Sequence, residues 1–241
     1  MKTSLNELTI KIFSDAADLA GMLEMYRQPY IKGFTTNPTL MHKAGITDYA
    51  GFAKQVLTNI PDRPISFEVF SDDFAEMERQ AMQIAGWGAH VYVKIPVTNT
   101  LGESAVPLVR RLSRAGVKVN VTALLSLDQV KAIAEALDGL VLVPSCISVF
   151  AGRVADTGVD PVPLMSKALE IIRRVPGCEL IWASPRELLN IFQADDIGCH
   201  IITVTHDILK KLPTIGRDLD DFSLDTVRMF HRDAKQAGFT L

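Results

Sequence analysis

The chain has 241 residues, a formal net charge of −3 at neutral pH, 48% hydrophobic residues and 22% charged ones. That length suits one α/β barrel domain over residues 1–241, and the composition excludes a long disordered chain. No stretch gathers Lys and Arg with interleaved aromatics, which excludes the electrostatic footprint of a nucleic-acid-binding surface. Along the chain, short β-branched runs alternate with segments of helical period, the pattern of repeated βα units around a parallel sheet. The expected strands are Thr9–Asp15, Gly33–Asn37, Ile65–Phe70, His90–Pro96, Lys118–Leu124, Leu140–Pro144, Glu179–Ser184 and Ile201–Thr205. Among the amphipathic segments between them are Asp73–Trp87, Leu101–Ala115, Leu127–Leu137 and Val162–Val175, most of them closed by Gly.

Eight such units close a (β/α)8 TIM barrel. A doubly wound open sheet would carry a glycine-rich phosphate loop after its first strand, whereas Asp15-Ala16-Ala17-Asp18 stands there. Beyond the eighth unit, Leu224–Ala237 reads as an additional amphipathic helix, so residues 222–241 are expected to cap the barrel or pack on a neighbouring subunit. Cys146, Cys178 and Cys199 are odd in number and widely spaced, and read as buried small residues rather than metal ligands. Met1 to Leu8 is short and polar, and no later run is long enough to span a bilayer. A cytoplasmic protein with no membrane partner is expected.

Both faces of a barrel strand are buried, so an ionisable residue within one is costly unless it has a function. In the fourth strand Val91, Val93 and Ile95 share one face while Tyr92 and Lys94 share the other, which points Lys94 inward. In the third, Ser66, Glu68 and Phe70 alternate with Ile65, Phe67 and Val69; in the fifth, Asn120 and Thr122 alternate with Val119 and Val121. Asp15, Asn37 and Ser184 close the first, second and seventh strands, so the polar groups gather at the carboxyl end, where barrel active sites lie. This ring has no metal-ligand logic and suits imine chemistry, which needs no cofactor. A lysine amine attacks a carbonyl only when neutral, and Val93, Ile95 and Pro96 are expected to favour that form by desolvating Lys94.

Gly33-Phe34-Thr35-Thr36-Asn37-Pro38-Thr39 resembles the amino-terminal signature of transaldolases, and Val91-Tyr92-Val93-Lys94-Ile95-Pro96-Val97-Thr98 resembles their Schiff-base lysine strand. The likeness continues through Asn120–Ser126, Ile147–Arg153 and Ala183–Arg186, in order, and so covers nearly the whole chain. The length is similar to the short subfamily that also includes fructose-6-phosphate aldolases. The resemblance implies a transferase that moves a dihydroxyacetone unit from a ketose phosphate to an aldose phosphate. Lys94 would be the nucleophile. Asp15 would take the C4 hydroxyl proton and return it to the acceptor, and Glu68, through a water held with Thr122, would move protons during carbinolamine dehydration. Thr36, Asn37 and Asn120 would bind the retained three-carbon unit, while Arg153, Arg186, Ser148 and Ser184 would meet the phosphate. It further implies a homo-oligomer, a pentamer-based decamer assembled through the carboxyl-terminal helix.

Each residue alone has a plainer reading. Lys94 and Glu68 would form a structural ion pair, Asp15 a helix N-cap, Asn37-Pro38 a turn, Arg153 a surface charge and Arg186 a solvated helix-opening residue; Ser148 and Ser184 alone say little. Short aldolases resembling this chain carry Gln at the position of Glu68 and Tyr at that of Phe150, so the residues here are of the transaldolase kind and Phe150 would keep the enamine dry. The alternatives are an aldolase-like lyase releasing free dihydroxyacetone, a transaldolase for a sulfonated or deoxy ketose, and a non-catalytic phosphosugar-binding barrel. Lys32, Trp182, Pro185 and His206 depart from the family pattern, and are expected near the mouth.

Overall fold

The computed structural model describes residues 4–139 and 143–241. In chain order the elements are β1 Lys11–Asp15, α1 Leu19–Tyr26, β2 Ile31–Thr35, α2 Pro38–Lys43, α3 Tyr49–Asn59, β3 Ile65–Glu68, α4 Phe74–Ala85, β4 Val91–Pro96, α5 Val106–Arg114 and β5 Val119–Leu124. There follow α6 Leu127–Leu137, β6 Ser145–Val149, α7 Ala151–Asp156, α8 Pro161–Ile172, β7 Cys178–Trp182, α9 Leu189–Asp196, β8 Ile201–Thr205, α10 His206–Leu209 and α11 Leu219–Ala237. Strands β1 to β8 are hydrogen-bonded in sequence order into a closed barrel. Closure is made by parallel pairing of β1 with β8, from Lys11↔Ile201 to Asp15↔Thr205.

The helices form where local chemistry asks for them. Asp18, Asp48, Asp73 and Asp160 cap α1, α3, α4 and α8 through backbone N–H groups of the first turn. Ser126 and Gln129 form a reciprocal capping box on α6. In α4, Met77, Ala81 and Ile84 are buried at helical spacing; in α5, Leu108, Val109 and Leu112 are buried while Arg110, Arg111 and Arg114 face solvent. The main hydrophobic core lies between strands and helices, and a small second cluster of Phe13, Cys146, Ile181, Ala183 and Ile201 fills the barrel itself. Gly33 makes that filling possible, because a Cβ there would lie 2.6 Å from Cζ of Phe13.

Several boundaries differ from the sequence reading: the third strand ends at Glu68 rather than Phe70, the seventh at Trp182 rather than Ser184, and the last helix starts at Leu219 rather than Leu224. Three others have a plain local cause. The sixth strand is Ser145–Val149 rather than Leu140–Pro144: Val143 and Pro144 have no regular structure, and residues 140–142 lie outside the described residues. Pro144 has no N–H to give a central strand, whereas Cys146 and Ser148 turn inward between Ile147 and Val149. The fifth helix starts at Val106 because Asn99 folds the preceding loop, its Oδ1 accepting from the N–H groups of Leu101 and Glu103. The second strand ends at Thr35, so Asn37 is the N-cap of α2 and accepts from Leu40 N–H. All three cysteines are buried free thiols, and no helix of the described residues is long and apolar enough to cross a membrane.

Candidate active site

A cavity of about 430 Å³ opens at the carboxyl ends of the strands. Asp15, Asn37, Glu68, Lys94, Thr122, Ser148, Phe150, Arg153 and Ser184 all line it, so the closed barrel gathers residues spread over most of the sequence. Lys94 is buried, with Nζ 3.2 Å from Oε2 of Glu68 and donating to the Thr36 carbonyl at 3.0 Å. The surroundings of the amine differ from the expectation. Val93 and Ile95 belong to the outer core against the helices, whereas Nζ meets the acceptors of Glu68 and Thr36.

Asp15 is not a helix cap; Asp18 has that role. The Asp15 carboxylate accepts from Thr35 Oγ1 at 2.7 Å and from Asn37 Nδ2 at 3.4 Å. Thr35 Oγ1 also lies 2.5 Å from Thr203 Oγ1. Since Thr35 gives its single hydroxyl proton to ionised Asp15, Thr203 must be the donor between the two threonines. Burial pushes the Asp15 carboxyl above the ordinary aspartate range, partly offset by the charge of Lys94 and the Thr35 hydrogen bond. Asn37 thus does two jobs, capping α2 with its oxygen and orienting Asp15 with its nitrogen.

Asn120, Thr36 and Arg186 stand outside the cavity wall. Asn120 is fully buried beneath it, donating to Ser66 Oγ at 3.0 Å and accepting from Ser148 Oγ at 2.7 Å. The Thr36 hydroxyl donates to the Ser66 carbonyl, so this residue meets the site through its backbone oxygen. Arg186 lies in the loop before α9 and does not open a helix; its guanidinium is held by both oxygens of Asp156, with Nη1 3.4 Å from Ser184 Oγ. The Arg153 guanidinium lies 5.4 Å from the centre of the Phe150 ring. Thr122 Oγ1 is buried and has no hydrogen-bond partner among the described residues.

Of the residues expected near the mouth, two are elsewhere. Lys32 lines a cavity among Lys11, Tyr92 and Glu179 at the amino ends of the strands, and Trp182 is fully buried in the outer core. His206 is the first residue of α10. The sequence reading missed Thr35, Thr203 and Ala123 as wall residues. The threonines were legible from the inward alternation of β2 and β8, but Ala123 was not. Ala123 and Ser184 are the non-glycine residues with left-handed backbone among those described, at φ 64° and 62°. Such conformations cost about 1–3 kcal/mol and cluster at functional sites. Gly152 permits the Ser184 conformation, since a Cβ there would lie 1.5 Å from the Ser184 carbonyl oxygen.

A parallel eightfold barrel with a buried lysine between carboxylates at its carboxyl-terminal mouth belongs to the class of barrels able to work on carbonyl substrates. The sequence model described as Transaldolase/Fructose-6-phosphate aldolase matches residues 12–241, and the chain belongs to that family. It is 34% identical over 204 residues to a "probable transaldolase" of Dehalococcoides mccartyi, covering 84% of this chain and 90% of the other. A "probable transaldolase" of Thermoanaerobacter sp. is 31% identical over 233 residues, covering 96% and 100%. Among solved structures, an HpcH/HpaI aldolase/citrate lyase family protein of Burkholderia cenocepacia superimposes with a TM-score of 0.56 at 14% identity, covering 91% and 95%, a likeness of fold alone.

Proposed function

We propose that this enzyme of the transaldolase family transfers a dihydroxyacetone unit from a ketose phosphate, of the sedoheptulose 7-phosphate or fructose 6-phosphate type, to an aldose phosphate. The observation that carries the reading is the buried Lys94 amine, 3.2 Å from Glu68 in a cavity that Asp15 also lines. Neutral Nζ attacks the C2 carbonyl of the donor to give a carbinolamine. Glu68 protonates its hydroxyl through a water shared with Thr122, water leaves, and the imine forms; the unpartnered Thr122 hydroxyl supports that relay. Asp15 then takes the proton of the C4 hydroxyl, the C3–C4 bond breaks, the aldose leaves, and the bonding pair becomes the enamine. Addition of the enamine carbon to the acceptor aldehyde rebuilds the bond, with Asp15 returning the proton, and hydrolysis of the imine frees the new ketose and Lys94.

The phosphate end of the donor meets Arg153, Ser184 and Arg186 at the rim, with Asp156 released from Arg186 when phosphate takes its place. Asn37 holds the three-carbon unit beside Lys94, and Asn120, buried beneath the wall, fixes the Ser148 hydroxyl that lines the cavity by accepting from it; with its proton so committed, Ser148 is not placed at the phosphate. Fructose 6-phosphate is expected to yield products in the presence of erythrose 4-phosphate and almost none in its absence. Acceptor-independent release of dihydroxyacetone would instead establish the lyase, and binding without turnover the non-catalytic barrel. The Phe150 ring lines the cavity and packs on the cluster inside the barrel. Phe150→Tyr, which adds a hydroxyl able to hold a hydrolytic water, should raise the ratio of free dihydroxyacetone to transfer product; an unchanged ratio in folded protein would release Phe150 from that role.

We further propose that α11 packs on another copy of the chain. None of its residues is buried, and Leu219, Phe222, Val227 and Phe230 are exposed apolar groups along it. Phe222→Glu with Phe230→Glu should lower the mass measured by light scattering, and an unchanged mass would contradict this use of the helix.

A further inference from the structure

The β2–β3 ladder breaks off beside the site in an unusual way. Phe34 N–H donates to the Pro64 carbonyl and Thr36 N–H to the Ser66 carbonyl, at 2.9 and 3.1 Å. In a parallel ladder the next bond would run from Glu68 N–H to the Thr36 carbonyl. That carbonyl instead accepts from Lys94 Nζ. Glu68 N–H goes to the hydroxyl of Tyr49 at 2.9 Å, and the same hydroxyl donates to the Glu68 carbonyl at 2.8 Å. One phenol at the start of α3 therefore replaces a strand neighbour for both backbone groups of Glu68.

The ring is fixed independently of the hydroxyl. It packs at 5.5 to 6.4 Å between centroids on Phe67, Phe70 and Trp87. Burial pushes the phenol above its ordinary range, so it keeps its proton throughout the working pH and can donate and accept at once.

We infer that Tyr49 is a positioning residue for the Schiff-base step: by satisfying the backbone of Glu68, it aims that carboxylate at Lys94 and leaves the Thr36 carbonyl to the lysine. Without the hydroxyl, Glu68 N–H competes with Lys94 for the Thr36 carbonyl, and the end of β3 moves. The inference rests on the proposed role of Glu68 in imine formation.

The test compares Tyr49→Phe, Glu68→Gln and the double variant, reading the rate of borohydride-trapped imine on fructose 6-phosphate separately from KM. Tyr49→Phe should slow imine formation roughly tenfold, the scale of one or two lost neutral hydrogen bonds, with KM little changed. In the Glu68→Gln background the same substitution should add almost nothing, because both act through one carboxylate. An equal loss in both backgrounds, or no loss in either, overturns the inference. If Glu68→Gln itself leaves imine formation untouched, the proposed role of Glu68 fails, and Tyr49 with it; a slowed Glu68→Gln beside a normal Tyr49→Phe sinks Tyr49 alone. Should Tyr49→Phe prove unstable, a ring-fluorinated tyrosine at position 49 keeps the hydroxyl and the packing. Its stronger donor should shift the imine rate in the parent and not in the Glu68→Gln background, and an identical shift in both would overturn the inference.

Discussion

Lys94→Ala is expected to remove transfer activity, by on the order of a millionfold on the scale of a deleted nucleophile. It should also destabilise the protein. Glu68 and Asp15 both face the space that Nζ occupies, and removing one partner of a buried ion pair costs about 3–5 kcal/mol because the other charge is left uncompensated. The two effects are separable: Lys94→Met combined with Glu68→Gln takes away both charges, so thermal stability should return toward that of the parent while activity stays absent. Thermal unfolding followed by circular dichroism, alongside a coupled transfer assay, reads both. If the double variant were as unstable as Lys94→Ala, the uncompensated charge of Glu68 would not be the source of the loss.

Asp15→Asn has the second-largest expected effect and a different signature. The imine on Lys94 should still form, since Glu68 and Thr122 remain, but cleavage of the C3–C4 bond should fall by roughly a hundred- to ten-thousandfold, as for other lost acid–base groups. Asp15 acts as a base only when ionised, and burial raises its pKa. The acid limb of kcat/KM should therefore lie at higher pH than an ordinary aspartate would give, and vanish from the residual activity of the variant. Stability follows the same shift. Native Asp15 holds its proton more tightly than unfolded Asp15, so between the unfolded and native pKa values stability falls as pH rises, and the cost is fully present above the native value. Asp15→Asn removes that cost, so the variant should be at least as stable as the parent near neutrality, with its advantage shrinking as pH drops through the window. A variant less stable at neutral pH than at acid pH, relative to the parent, would contradict the buried-charge description.

How far the sequence discloses this site depends on whether the signal is local. Strand β8 and helix α6 coincide with the stretches expected of them, the one from its unbroken run of β-branched residues, the other from its helical period. Lys94 and Glu68 were legible for the same reason, since period two forces both inward. The sixth strand was misplaced because Leu140–Pro144 is the more apolar run, whereas the ladders to β5 and β7 are made by Ser145–Val149. Parity also failed at the site itself. Counting by twos from inward Ser184 puts Trp182 inside the barrel; the left-handed backbone at Ser184 breaks the count, so Ala183 belongs to the interior, Trp182 to the outer core, and Ser184 still reaches the cavity. At Ala123 the β5–β6 register shifts, which lets both Thr122 and Ala123 line the wall. The pairing of Arg186 with Asp156 joins the loop before α9 to the end of α7, and no spacing in the sequence announces it.

All of these roles require chemistry to pass through a covalent bond to Lys94. Reducing the protein with borohydride in the presence of fructose 6-phosphate, then mapping peptides by mass spectrometry, reads this directly, because reduction converts the imine to a stable secondary amine. The expected result is a single modified residue, Lys94, carrying the donor carbons as a reduced adduct, absent when substrate or borohydride is omitted and absent in Lys94→Ala. Fully active protein that yields no adduct, or one whose adduct maps to another lysine, would contradict the assignment of the nucleophile and with it the roles given to Glu68, Asp15 and Tyr49.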